Sequence, residues 1–392
     1  MKTWIVLLCC ALAGGCATAP SPPPAAALFD DALFRPPSVR IDAADVLATS
    51  PAMRRYLDGE LTGELRSRGR QQGLFAALYG KGQLQLEYDS AMTRNAAEAF
   101  DARAGNCLSL VLMTAAFAKD LGLTVRFQSV FAEETWSRSG DIYYAIGHVN
   151  LTLGRKQVDG GFGKSETDLM TIDFLPPRNL RGLHTMVIGE DRIIAMYMNN
   201  RAVEALTAGQ LDDAYGWARA AIRQDSKFLS AYNTVGAIYQ RHRNPEAALR
   251  ILAYVLAQEP GNTRVMANLA LVLADLGRSA EADALNARRA QLEPYPPFSF
   301  FNQGREAMKA GDIAKARDLF AKEVDRAAYY HEFHFWLALA YMGLGDTDNA
   351  KKHLAIARET STTRSDHDLY AAKLDRMKTY HPGRISSATV TN

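Results

Sequence analysis

The residue with the most chemistry to offer is a solitary thiol. The stretch RAGNCLSLVLMT, Arg103 to Thr114, puts Cys107 between a Gly-Asn turn and an apolar run. A cysteine that opens a helix sits where free backbone N–H groups and the helix dipole stabilise a thiolate. Nucleophilic work also needs a base to take the proton and an acid to orient that base, both from elsewhere in the chain. Of the eight histidines, His242, His331, His334 and His353 fall in a repeat region, and His367 and His381 lie beyond it. His148 and His184 remain. His148 begins the strand-like HVNLTL, where a sheet can hold its ring rigidly, whereas His184 in RNLRGLHTM reads as a loop residue. Asp159 after RKQV and Asp173 in MTIDFLPP are the candidate acids. The competing reading of Cys107 is a small buried apolar residue, as free cysteines often are.

Why this thiol stands alone follows from the N-terminus. Thr3 to Gly15 is uncharged and apolar, too short for the ~20 residues that span a bilayer but suited to an export signal. The ending ALAGGC resembles a bacterial lipoprotein lipobox, although Ala13 stands where leucine is usual. Cleavage after Ala19 is the alternative. The resemblance implies a signal over 1–15, lipidation of Cys16, a membrane anchor, and an outer-membrane lipoprotein facing the periplasm. Residues 16–35, rich in proline and alanine, then read as a tether. Cys9 and Cys10 lie in the signal and Cys16 is lipidated or removed, which leaves Cys107 alone in an oxidising compartment.

The elements that must position these groups can be read in outline. Phe29 to Asp101 looks mostly helical, with two amphipathic helices and a further one over Asn95–Asp101. Apolar residues at helical spacing run from Cys107 to Leu121 and stop at Gly122. TVRFQSVF, YYAIGHVNLTL, RKQV and LMTIDFL carry the β-branched and aromatic residues of an antiparallel sheet. Residues 36–190 thus form an α+β domain.

From 191 to 364 a 34-residue period takes over. Ala214, Ala248, Ala282, Ala316 and Ala350 form one column, and Gly209, Gly277, Gly311 and Gly345 a second, broken by Arg243. A small residue lets paired helices approach and a glycine turns the chain between them. The pattern resembles the tetratricopeptide repeat: five units of an all-α solenoid, with a capping helix near Asp366–Met377 inside a 365–392 tail. Such arrays take a protein or peptide partner on a concave face. Asn199 and Asn233 share one repeat position and are the candidate peptide-binding residues, a solvated helix face being the alternative.

The α+β segment carries a second resemblance. RAGNCLSLVLMTAAFAKDLGL, then GHVNLTL, then MTIDF, is similar to the transglutaminase-like superfamily of the papain-type fold, over about residues 60 to 180. The resemblance implies Cys107 as nucleophile, His148 as base and Asp173 as orienting acid, with Asp159 the alternative acid. Trp136 is a candidate for the tryptophan that assists the oxyanion in true transglutaminases. The implied chemistry is attack on a peptide or isopeptide amide, completed by water or by an amine. A non-catalytic reading stays open beside it: a repeat lipoprotein acting as an envelope assembly adaptor.

Other classes find little support. A formal charge of +2 with 22% charged residues makes no case for nucleic acid. GFGKS at Gly161–Ser165 lacks the upstream glycine of a phosphate loop, where Val158 stands. No cofactor is expected. Metal-ligand spacing is missing too, since HEFH, His331 to His334, reads as helix surface.

Overall fold

A computed structural model describes residues 25–80, 84, 86–139, 142–154, 169–174 and 184–379; within these, side chains are described except at 25, 26, 131–146, 184, 378 and 379. The signal, Cys16, Asp159, the RKQV segment and the side chain of Trp136 lie outside the described residues. Three short helices, α1 (Pro51–Asp58), α2 (Thr62–Arg68) and α3 (Arg70–Tyr79), lead to a two-residue strand β1 (Glu87–Tyr88). Helix α4 (Ala96–Ala102), strand β2 (Ala104–Gly105) and helix α5 (Cys107–Asp120) follow. β1 and β2 pair in parallel, with Tyr88 opposite Gly105. A four-stranded antiparallel sheet is built from β3 (Thr124–Ser139), β4 (Ile142–Gly154), β5 (Met170–Ile172) and β6 (His184–Ile188), in the order β5-β4-β3-β6. His184 therefore starts an edge strand rather than sitting in a loop: TMVI completes the alternation that pairs it with Phe131.

The second half is a run of helical hairpins: α6 (Glu190–Thr207) with α7 (Leu211–Gln224), α8 (Leu229–Arg241) with α9 (Pro245–Gln258), and α10 (Thr263–Asp275) with α11 (Ser279–Leu292). Then come α12 (Ser299–Lys309) with α13 (Ile313–Arg326), α14 (His331–Gly343) with α15 (Thr347–Thr360), and the closing α16 (Arg364–Thr379). All five column alanines are buried, none more than 5% exposed. Gly209, Gly277, Gly311 and Gly345 each adopt positive φ at the turn between paired helices, and Arg243 adopts it too, at 60°. The turn geometry is thus common to all five hairpins even where the glycine is missing.

The α+β segment and the first three hairpins share one apolar core, which runs from Leu28 to Ala282. Two features depart from the sequence reading. His334 is 3% exposed rather than a surface residue, because its Nε2 meets the Ala328 carbonyl at 2.9 Å and its Nδ1 meets His353 Nδ1 at 2.9 Å. Residues 28–42, expected as tether and helix, form no helix beyond single 3-10 turns and pack on α7, α8 and α9.

Candidate active site

Local sequence explains why Cys107 stands at a helix tip. Asn106, in extended conformation, caps α5 by accepting from the Ser109 N–H at 2.9 Å. Gly105 is required just before it: a Cβ there would lie 2.6 Å from the Ser109 Cβ. Cys107 is then the first residue of α5, is 2% exposed, and is a free cysteine.

β4 brings the base. His148 and Asn150, two apart, point to the same side of the strand. Continuing the Leu151–Ile172 register by one residue sets Asp173 opposite Asn150. The contacts follow from this: His148 Nε2 lies 2.8 Å from Asp173 Oδ1, and Asn150 Nδ2 donates to Asp173 Oδ2 at 2.8 Å. Tyr79 donates from its hydroxyl to the Asp173 carbonyl, fixing the backbone of the acid. Nε2 is committed to the carboxylate, and the Cys107 sulfur lies close enough to the imidazole to favour its charged form. Burial opposes the charged ring, but Asp173 and Cys107 outweigh it and push His148 up to about 9. Sulfur, imidazole and carboxylate therefore form one connected chain, in which charge on the ring is favoured at neutral pH.

Sequence reasoning misses Tyr88. Half-buried on β1, its phenol lies beside the Cys107 backbone and sulfur, close enough for each to act on its ionisation. Burial, then the neighbouring sulfur, raises its phenol well above the usual range. A two-residue strand has no periodic signal; the hint available was a lone tyrosine between polar residues in LEYDS.

A further group ties this tip to the first hairpin. Thr93, 1% exposed, accepts at its hydroxyl from Asn106 Nδ2 (3.0 Å) and Asn200 Nδ2 (3.3 Å). Its N–H donates to Glu204 Oε1 at 2.7 Å and its carbonyl accepts from Arg201 Nη1 at 2.9 Å. Burial raises the Glu204 carboxyl, against the Thr93 hydrogen bonds that favour its charge. The same loop is held from the far end of the array, where Ser90 N–H donates to the Thr362 carbonyl at 2.9 Å. Both ends of the helical array thus grip residues 90–93, a few residues from Tyr88.

The two repeat asparagines lie apart from this site. Asn233 Oδ1 accepts from Asn268 Nδ2 at 3.0 Å, which links the first helices of successive hairpins along one face. Asn199 Oδ1 is buried and has no partner among the described residues, an acceptor left open on the equivalent position of α6. Among the described residues no group of three or more His, Cys, Asp or Glu side chains is arranged to hold a metal ion.

A family model for the tetratricopeptide repeat matches residues 331–355, the fifth hairpin. Among curated proteins, none matches the chain. Solved structures with some similarity include the MamA protein, at 19% identity over 44% of this chain and 93% of its own, with a TM-score of 0.25. YrrB, described as a tetratricopeptide-repeat protein with an unusual peptide-binding site, is similar at 20% identity over 46% of this chain and 92% of its own, again with a TM-score of 0.25. Scores that low carry no inference.

Proposed function

We propose that this chain is an envelope thiol enzyme of transglutaminase-like type, whose tetratricopeptide repeats dock a protein and present one of its amides to Cys107. The single observation that carries the catalytic part is the connected chain from Cys107 through His148 to Asp173. Membrane attachment through Cys16 and a periplasmic location belong to the same proposal and rest on the lipobox-like sequence alone.

In this reading His148 holds the thiol proton as an imidazolium while the Cys107 thiolate attacks the amide carbon. The carbonyl π pair moves to oxygen, and the Cys107 N–H, in the first turn of α5, is a candidate donor to that oxyanion. Collapse breaks the C–N bond as His148 passes its proton to the leaving amine. Water or a second amine then attacks the thioester, His148 takes its proton, and the thiol is regenerated. Because the Tyr88 phenol lies beside the Cys107 sulfur, substrate must pass it, or the tyrosine must itself turn to donate to the oxyanion.

A second reading has its own support: Cys107 and His148 are 2% and 3% exposed, and the family match falls in the repeats. In that reading the chain is a non-catalytic adaptor that assembles envelope proteins on its repeats, and the triad is a packed remnant. Envelope proteomics of wild type against Cys107→Ser separates the two. An uncleaved or uncrosslinked species in the variant supports the enzyme, and identical profiles support the adaptor.

A further inference from the structure

Residues 28–38, LFDDALFRPPS, pack on α7, α8 and α9, with one 3-10 turn at Asp31–Leu33, and are held by side chains. Its backbone is read at three points: Asp30 N–H donates to the Tyr239 hydroxyl (2.7 Å), Arg35 N–H to Asp212 Oδ1 (3.0 Å) and Ser38 N–H to Asp213. Its side chains are read as well. Asp31 accepts from Arg219 Nε and Nη2 at 2.8 and 3.1 Å and from the Tyr215 hydroxyl at 2.7 Å, so its carboxyl is held below the usual range, chiefly by that arginine. Phe34 stacks on Tyr215 with ring centroids 3.9 Å apart, and Arg219 lies 3.7 Å over the Phe29 ring. Gly216 makes room: a Cβ there would be 2.9 Å from Pro37.

Backbone N–H groups caught by side chains, a two-pronged arginine on one carboxylate and aromatic slots on either side are how a helical array recognises a peptide in trans. The occupant here is attached, and its nearest partners lie some 170 residues or more away in sequence. We infer that the α7–α9 face is a peptide-recognition groove for an aromatic–Asp–Asp–x–x–Phe segment, occupied in cis by the chain's own residues 28–38. Because the occupant is attached, its contact is intramolecular, so a free segment of the same chemistry competes poorly until the clasp is weakened. The groove is distinct from the face lined by Asn233 and Asn268, and the inference does not depend on the triad.

The test uses the full chain and a fluorescein-labelled peptide of residues 26–40. Asp31→Ala with Phe34→Ala opens the clasp. The opened chain is expected to bind the peptide one to one and at least tenfold more tightly than wild type, and adding Arg219→Ala is expected to weaken that binding at least tenfold. Binding no tighter than wild type, or indifference to Arg219→Ala, overturns the inference. Hydrogen exchange guards against a misfolded variant. In the wild-type chain the Asp30, Arg35 and Ser38 amides are expected to be protected, and free exchange at all three overturns the inference without any variant.

Discussion

The Asn106 side chain donates to the Thr93 hydroxyl at 3.0 Å, so the residue that caps the Cys107 helix is held by a threonine that the first hairpin also grips. Removing that hydroxyl with Thr93→Val leaves two half-buried donors, on Asn106 and Asn200, without their acceptor. An orphaned buried partner costs about 1–3 kcal/mol, and half-buried donors that water can reach fall at the low end, about 1 kcal/mol. A urea titration is expected to lose that much stability, and Cys107 alkylation to change rate because its cap is loosened. A wild-type midpoint and rate would show that the contact holds nothing in place.

The ring of His148 supplies a pH signature. Its folded value is raised to about 9 from an ordinary 6.5, by Asp173 and Cys107 against the opposing effect of burial. A raised base binds its proton more tightly in the folded chain. Its contribution to stability is therefore complete below about 6.5 and is lost as pH rises through about 9. Thermal midpoints between pH 6.5 and 9.5 should fall in wild type and fall less in Asp173→Asn, whose side chain lacks the charge. Equal slopes would contradict the assignment.

The last hairpin should respond in the opposite direction. Burial lowers both His334 and His353, the latter to about 4, with His334 adding repulsion on His353. These rings stay neutral when folded but charge when unfolded, so stability declines as pH falls from about 6.5 toward 4. His353→Leu is expected to flatten that decline in thermal scans from pH 7 to 5. An unchanged decline would place its origin elsewhere.

Arg243 offers a gain. It holds φ at 60°, where its four counterparts are glycine. A left-handed conformation costs a non-glycine residue about 1–2 kcal/mol, partly offset by the entropy that glycine loses on folding. Arg243→Gly is expected to raise stability by roughly 0.5–1 kcal/mol in urea unfolding, and a loss would mean that the arginine side chain makes a compensating contact.

Much of the scaffold was legible because it is periodic. The alanine column works at every hairpin by the same close approach, so spacing alone exposes it. Cys107 could be placed at a helix tip from Gly105-Asn106 and the apolar run behind it, and His148 could be put on a strand by the alternation after it. Other features have no local signal. The clasp of residues 28–38 forms nothing longer than a 3-10 turn, and what holds Asp31 is Arg219, far along the chain. Tyr88 sits on a strand of two residues, and the polar type of His334 hides that it shares the buried face of its helix with Leu337 and Ala338. Asn199 and Asn233 could be aligned by the repeat, yet their chemistry diverges, because Asn268 satisfies one and nothing satisfies the other.

The central claim is that His148 activates Cys107, and the rate of Cys107 alkylation by iodoacetamide at pH 7 tests it most directly. With Tyr88→Phe to uncover the sulfur, the account predicts a rate above that of a free thiol, and a fall of about a hundredfold or more when His148→Ala is added. A sulfur that labels only after unfolding in every variant, or at the same rate with and without His148, would contradict it.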